Sequence, residues 1–349
     1  CFNLKRGVLM VFFITTLLFY ALTLLCFLAT LYIYIRLVIA VKAGKEVPRW
    51  IYQLGQGFQG RIKVNYDDVT DRIALKDVYT FIFILISANI LMFSVMYYRT
   101  HHFPLALYTC LKAQFAIVIV AMILTKIPKI ISVLRQPSTQ PDYLYSPTNA
   151  VIGGIFMTTF IFTLAFSISG FPEKPIAVQL DESEVIIGET TAGELLADGF
   201  SFDQKDPESE IINEHNDHFY YGELVEIFRD GKSYGKMSLT PTWKDADMLK
   251  NCTITYYRLP VENNLLDKVK INHTDLSRLS INDFKTKKLV DIFSLTPVTY
   301  EENKLDTSFN LEMQTADYSL WKRYTIEINF NADGAISYYG VRAQHDIWA

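Results

Sequence analysis

Along the first 170 residues, apolar positions come in long unbroken runs, not at the spacing of an amphipathic element. Val8–Val41 is interrupted by a single charge, Arg36. Val78–Tyr97 and Leu105–Leu134 follow, the latter strongest over Ala113–Leu124. Ala150–Gly170, reading AVIGGIFMTTFIFTLAFSISG, carries no charge. About 20 residues of helix cross about 30 Å of hydrocarbon. The pattern therefore predicts four transmembrane helices, near 8–34, 78–97, 105–127 and 150–170. The first run exceeds the bilayer thickness and is read as a tilted span, with Tyr32, Tyr34 and Arg36 at the interface. In KIPK, Pro128 is expected to bend or end the third helix, with Lys126 and Lys129 reaching headgroups.

From Phe171 the period changes to two. Lys174–Leu180, Tyr220–Arg229, Lys232–Thr240, Cys252–Leu259, Tyr324–Phe330 and Ala335–Arg342 alternate apolar with polar, as half-buried strands do. Val185–Ile187 and Leu276–Ile281 read as shorter strands. Asp230-Gly231 and Asn331–Gly334 are hairpin turns. Thr191-Ala-Gly-Glu194 is a capping box for a helix Ala192–Asp198 that stops at Gly199, and Asp283 is read as the cap of a helix Phe284–Phe293. The expected fold is a membrane protein: a four-helix transmembrane part over 1–170, then an α+β soluble domain over 171–349, with short helices on an antiparallel sheet. Strand, short helix and acid–Gly hairpin occur twice, and GETTAGELLADGF (188–200) echoes INDFKTKKLVDIF (281–293). A duplicated strand–helix–hairpin unit would produce that echo.

Charge divides at the same boundary. Residues 1–170 hold 15 Lys and Arg against 6 Asp and Glu, whereas 171–349 hold 18 against 31. The loop from Lys42 to Lys76 carries seven basic residues, and the loop before the last span carries Lys126, Lys129 and Arg135. Arg99 and Lys112 are the basic residues between the second and third spans. Positive loops stay in the cytoplasm, so the soluble domain is expected outside it, in a multi-pass protein of the cell membrane. Lys5 and Arg6 argue mildly the other way and are outvoted. An acidic soluble half excludes nucleic acid as a partner. Cys252 has no cysteine partner in its half, so that domain is expected to fold by its core. The chain opens on Cys1, not Met; this fits a processed, lipoprotein-like N-terminus or a truncated chain, and the second is preferred.

Candidate chemistry is sparse. Gly55–Gly60 (GQGFQG) resembles a phosphate loop, but no Gly-Lys-Ser/Thr follows, and a flexible turn is expected. Asp67, Asp68 and Asp71 interleave with Arg61, Lys63 and Arg72 as a solvated face. His101 and His102 are adjacent and diverge on a helix, so they read as interfacial. Glu214–His218 (EHNDH) offers metal-ligand types without a helix to fix them. Asn89, mid-span, needs a partner across the bundle; a transport-pathway role is its sharper reading. Gly153-Gly154 and Thr158-Thr159 offer a small-residue face to another helix. Asn251 and Asn272 begin glycosylation triplets that matter only in a eukaryotic host. No hydrolase, zinc-helix or nucleotide motif stands in the chain. Ser238 and Ser294 are unmarked as nucleophiles, and Tyr256-Tyr257, Tyr338-Tyr339 and Trp348 read as sheet-face residues or a binding surface.

No catalytic, cofactor or metal residue is assigned, and no cofactor is expected. The expectation is a non-enzymatic envelope or membrane-complex accessory protein that presents an acidic binding or sensing module outside. Its partners are the lipid bilayer and a membrane or envelope protein. A transporter or secretion-machine subunit, with Asn89 and Lys126 functional, and a membrane-bound hydrolase with an unrecognised site are the alternatives.

Overall fold

A computed structural model describes residues 2–59, 71–135, 146–213, 222–260, 265–314 and 320–345. The chain forms two compact units, one of Ile14–Ser167 and one of Ile168–Ala349 together with Cys1–Phe13. Helices apolar and long enough to span a membrane come first, and a sheet-rich domain follows.

The helices are α1 (Phe2–Lys42), α2 (Arg49–Gln59), α3 (Asp71–Thr100), α4 (Phe103–Lys112), α5 (Gln114–Arg135) and α6 (Ser146–Ser169). Among the described residues, Val11–Lys42, Asp71–Thr100 and Pro147–Ser169 are each long and apolar enough to cross a bilayer. The expected third span is instead a broken pair, α4 and α5, bent by 58°. The break has a local cause. Gln114 Nε2 donates to the carbonyl of Cys110 at 2.9 Å, the acceptor that a continuous helix would offer to the Gln114 backbone amide. Pro128 does not end α5, which runs on to Arg135.

The glycine-rich stretch expected as a turn is helical as far as Gln59. Trp50, Leu54 and Phe58 recur every four residues and stay exposed, while Ile51 is buried. Packing of Ile51 in the helical core opposes the roughly 1 kcal/mol each that Gly55 and Gly57 cost a helix. The small-residue face of α6 is filled from within the chain. A Cβ at Gly153 would lie 2.5 Å from the Phe58 ring, and one at Gly154 would lie 3.0 Å from Thr30 Cγ2. Leu37, Ile51, Val78 and Ala150 form a core shared by α1, α2, α3 and α6. Elsewhere large apolar side chains face outward, among them Leu25, Phe83 and Leu91, each more than 60 % exposed. Water would leave that surface strongly unfavourable, and hydrocarbon would not.

In the second unit, β1 (Ala177–Leu180) and β2 (Ser183–Ile186) form a hairpin, followed by α7 (Ala192–Ala197). Next come β3 (Ser201–Phe202), β4 (Glu210–Ile212), β5 (Glu223–Arg229), β6 (Lys232–Thr240), β7 (Ala246–Met248) and β8 (Thr253–Pro260). A second hairpin, β9 (Val269–Ile271) and β10 (Thr274–Asp275), leads to α8 (Ile281–Thr286) and α9 (Leu289–Ile292). The chain ends through β11 (Tyr300–Lys304), β12 (Ser308–Met313), β13 (Lys322–Phe330) and β14 (Ile336–His345). One sheet has the order β10-β9-β1-β2, a second the order β11-β12-β13-β14-β8-β6-β5-β3, and β4 pairs with β7.

The sheet orders read the same from both ends. Each half supplies one hairpin to the four-stranded sheet, joined at β1–β9, and one four-strand meander to the eight-stranded sheet, joined at β8–β14. The repeat is in a different register from the one the sequence suggests. The N-cap Thr191, which accepts from Glu194 N, and the capping box Ser280–Asp283 correspond, each placing one large buried residue, Leu195 or Phe284, on the core. Asp283 is therefore the third residue of its helix and not its cap, and Leu276–Arg278 is a 3-10 turn capped by Asp275, not a strand. The Asp230-Gly231 turn joins the second and third strands of its meander, whereas Asn331–Gly334 joins the third and fourth of the other. A short turn motif recurs wherever neighbouring strands connect tightly, so it is a poor marker of register.

Alternation decides what lies between the layers. Met237, Leu239, Tyr257, Ile326, Ile328, Val341 and the helix residues Leu195, Phe284 and Phe293 share one core. The opposite face of the eight-stranded sheet is polar, with Arg342 Nη2 2.8 Å from Glu327 Oε1 and the Arg258 guanidinium 4.0 Å over the Tyr338 ring.

Candidate functional site

The seam between the two halves is closed at one end and open at the other. Strands β8 and β14 pair from Tyr338↔Pro260 to Arg342↔Tyr256, and both continue beyond that last pair. Past it, β8 exchanges its partner. Gly188 N donates to Ile254 O at 2.7 Å, and Ile254 N donates to Thr190 O at 2.9 Å. Gly188 thus enters between the strands with φ +88°, and a Cβ there would lie 2.8 Å from Ala343 Cβ. Lys322, paired with His345 across β13 and β14, donates its ammonium to the Gly188 carbonyl.

The result is a cavity of about 90 Å³ above the diverging strands. Its floor is a ladder of hydroxyls: Thr240 and Thr255 oxygens are 2.6 Å apart, and Thr242 and Thr253 oxygens 2.7 Å. Alternation places Thr240 and Thr255 there, since their neighbours Leu239 and Ile254 face the core. One wall is Trp243, 63 % exposed, with its ring 5.7 Å from that of His345. Trp243 has φ +59°, a conformation unfavourable for a bulky residue, which fixes the indole at the mouth. Lys322, Arg342, Ala343 and Gln344 also line it, and among the described residues no carboxylate does. Gln344 Nε2 is buried there with no hydrogen-bond partner among the described residues.

Burial sets the charges. Loss of hydration pushes Lys322 below the usual lysine range, partly opposed by Glu189. Burial first, and the neighbouring Lys322 second, bring His345 down to about 4. The imidazole is therefore neutral at pH 7, and the basic groups of the groove are Lys322, bonded to the Gly188 carbonyl, and Arg342, paired with Glu327. A second, more open hollow lies around Asp181, Arg229, Tyr234 and Lys268, where charges of both signs alternate; Tyr234 donates to Asp181, and Lys268 lies 3.8 Å from it. That mixture is the ordinary state of a solvated face.

The residues singled out from sequence fall elsewhere. Asn89 has the cross-helix partner its position demanded: Gln114 Nε2 donates to Asn89 Oδ1 at 2.6 Å, and Cys110 Sγ lies 3.4 Å from the same oxygen. Cys252 is fully buried, and burial pushes its thiol up to about 12. Tyr256, Tyr257 and Tyr339 are interior, while Tyr338 lies under Arg258 on the polar face. Ser238 is buried in β6, and Ser294 follows α9 with φ +51°. Asn272 turns its amide to the Phe293 carbonyl at 2.7 Å. Cys1, Asp67, Asp68, Glu214–His218 and Trp348, and the side chains of Lys126 and Lys129, lie outside the described residues. Among the described residues no three His, Cys, Asp or Glu side chains gather as metal ligands.

Sequence reasoning missed the groove itself. The available signal was Trp243, a large aromatic in a polar turn (PTWKD) where neither strand nor helix periodicity buries it. No protein-family model matches this chain, and no curated protein or solved structure matches it.

Proposed function

We propose that this chain is a multi-pass protein of the cell membrane, with four spans, that presents its C-terminal domain outside the cytoplasm as a binding module. The observation that carries the reading is the groove at the open end of the β8–β14 seam: an exposed Trp243 at positive φ, a hydroxyl floor, and the buried Gln344 amide nitrogen without a partner among the described residues. Small-molecule sites combine an apolar wall with a few convergent polar groups in this way. The helical part is the anchor. It supports this role with its outward apolar surface, with α4 and α5 counted as one bent span, and with basic loops on one side. The matching sheet orders support a duplicated hairpin–helix–meander unit. In that arrangement Arg258 stacks on Tyr338 at one end of the seam, and the other end is left open as a ligand site.

The test is protease access. In sealed right-side-out vesicles, added protease should remove the domain after Gly170 and spare the loop around Lys42–Lys76. In inverted vesicles the pattern should reverse. Cleavage of the domain only in inverted vesicles would overturn the orientation, and with it an extracytoplasmic ligand.

A further inference from the structure

We propose that the groove beside Trp243 binds an acidic sugar, a saccharide ring whose carboxylate is taken by Lys322 and Gln344. The inference rests on the groove being the ligand site and names what it takes. Four properties select the class. First, Trp243 is 63 % exposed and its indole is a flat apolar surface, with the His345 ring 5.7 Å from it. A pyranose presents a matching face of C–H groups, and covering the indole with it removes apolar surface from water. Second, the four threonine hydroxyls stand in two contacting pairs, and each can donate or accept. That adaptability suits sugar hydroxyls, which also do both. Third, the Lys322 ammonium, which gives one proton to the Gly188 carbonyl and has two more, and the Gln344 amide nitrogen are donors in the lining, whereas Arg342 is already paired with Glu327. Among the described residues no carboxylate lines the groove, in a half of the chain where acidic residues outnumber basic ones 31 to 18. Fourth, Gln344 Nε2 is buried without a partner among the described residues, a state that costs free energy until an acceptor arrives.

A protein carboxyl terminus would use the donors but would leave the hydroxyl floor and the indole unmatched. A neutral sugar would use the floor and the indole but would bring no anion to the two remaining ammonium protons of Lys322. An acidic sugar uses all of them.

The experiment takes the full chain in lipid nanodiscs and measures binding by saturation-transfer NMR. The probes are glucuronate-containing oligosaccharides, the glucose oligosaccharides of the same linkage, and a short acidic peptide. The expected result is at least tenfold tighter binding of the glucuronate series than of the neutral series. Trp243→Ala should weaken it at least tenfold. Gln344→Glu, which keeps the side-chain shape and places an anion in the groove, should remove the preference for the acidic series. Equal binding of both sugar series, or binding of the glucuronate series that survives Trp243→Ala, overturns the inference. Peptide binding lost in Trp243→Ala, with no sugar bound, overturns the sugar and leaves the groove as a ligand site. No binding by any probe, with the Trp243 ring signals unmoved, overturns both. Unchanged circular dichroism of each variant separates lost binding from lost folding.

Discussion

Gly188→Ala tests the geometry that opens the groove. Gly188 holds φ +88° between β8 and the end of β14, where its amide meets the Ile254 carbonyl at 2.7 Å and its carbonyl takes the Lys322 ammonium. Alanine meets two penalties there. The left-handed backbone costs an L-residue about 1–2 kcal/mol. The new methyl would sit 2.8 Å from Ala343 Cβ, closer than carbon atoms approach, and crowding of a packed strand costs about 1–3 kcal/mol. A gain of about 0.4–1 kcal/mol from the stiffer unfolded chain offsets part of this. Gly231→Ala is the control. Its φ is +72°, and a Cβ there meets nothing within 4 Å, so it carries the backbone penalty and the offset without the crowding. The difference between the variants isolates the crowding, about 1–3 kcal/mol, or roughly 5- to 150-fold in an opening equilibrium. Hydrogen exchange of the core amides of β8, β13 and β14, followed by mass spectrometry on the full chain in nanodiscs, reads that equilibrium. Those amides should exchange faster in Gly188→Ala than in Gly231→Ala by that factor. Equal rates in the two variants would mean that the strands do not close on Gly188, and the account of how the seam opens would fail.

Two other expectations follow from buried polar groups. Glu173 accepts hydrogen bonds from the Val298 and Thr299 amides at 2.9 and 3.1 Å, yet burial outweighs these and lifts its carboxyl from 4.5 to about 7. The folded state then holds a proton that the unfolded state has released, so stability falls as pH rises from about 4.5 to about 7 and is level above. Discounted for partial solvent access, the loss is about 1–3 kcal/mol. Glu173→Gln should therefore melt higher than the parent at pH 8 and alike at pH 4.5, followed by the fluorescence of Trp321, whose indole nitrogen bonds Gly170 O at 3.1 Å; a lower melting temperature at pH 8 would refute this. In the membrane unit, a double-mutant cycle of Asn89→Leu and Gln114→Leu should give a coupling of about 0.6–1.7 kcal/mol in detergent unfolding, and additive effects would show that the 2.6 Å bond contributes nothing.

Local pattern by itself determined much of this protein. A run of about 20 apolar residues is a helix in any surroundings that lack water, and strict alternation with Asp230-Gly231 at its end is a hairpin. The Thr191 cap on Glu194 N closes within four residues, so it was legible as a motif, as was the need of Asn89 for a partner; Glu194 takes the Thr191 hydroxyl instead of reaching back to its amide. Where two local signals competed, the sequence misled. The glycines of 55–57 suggested a turn, while the spacing of Trp50, Leu54 and Phe58 carried the helix, and packing on the bundle settled it. The break at Ala113 depended on which way the Gln114 amide turns, and the Gly153-Gly154 face on which helix arrives against it, Thr30 of α1 and Phe58 of α2. The groove was invisible for a stronger reason. Its lining comes from Thr240–Trp243, Thr253–Thr255, Lys322 and Arg342–His345, brought together only because β14 pairs with β8 across the whole second half. Period and propensity are properties of neighbours in sequence. Which strands meet at the seam, and that Gly188 parts them at one end and not the other, is decided by close packing between residues about 150 apart, such as Gly188 and Ala343.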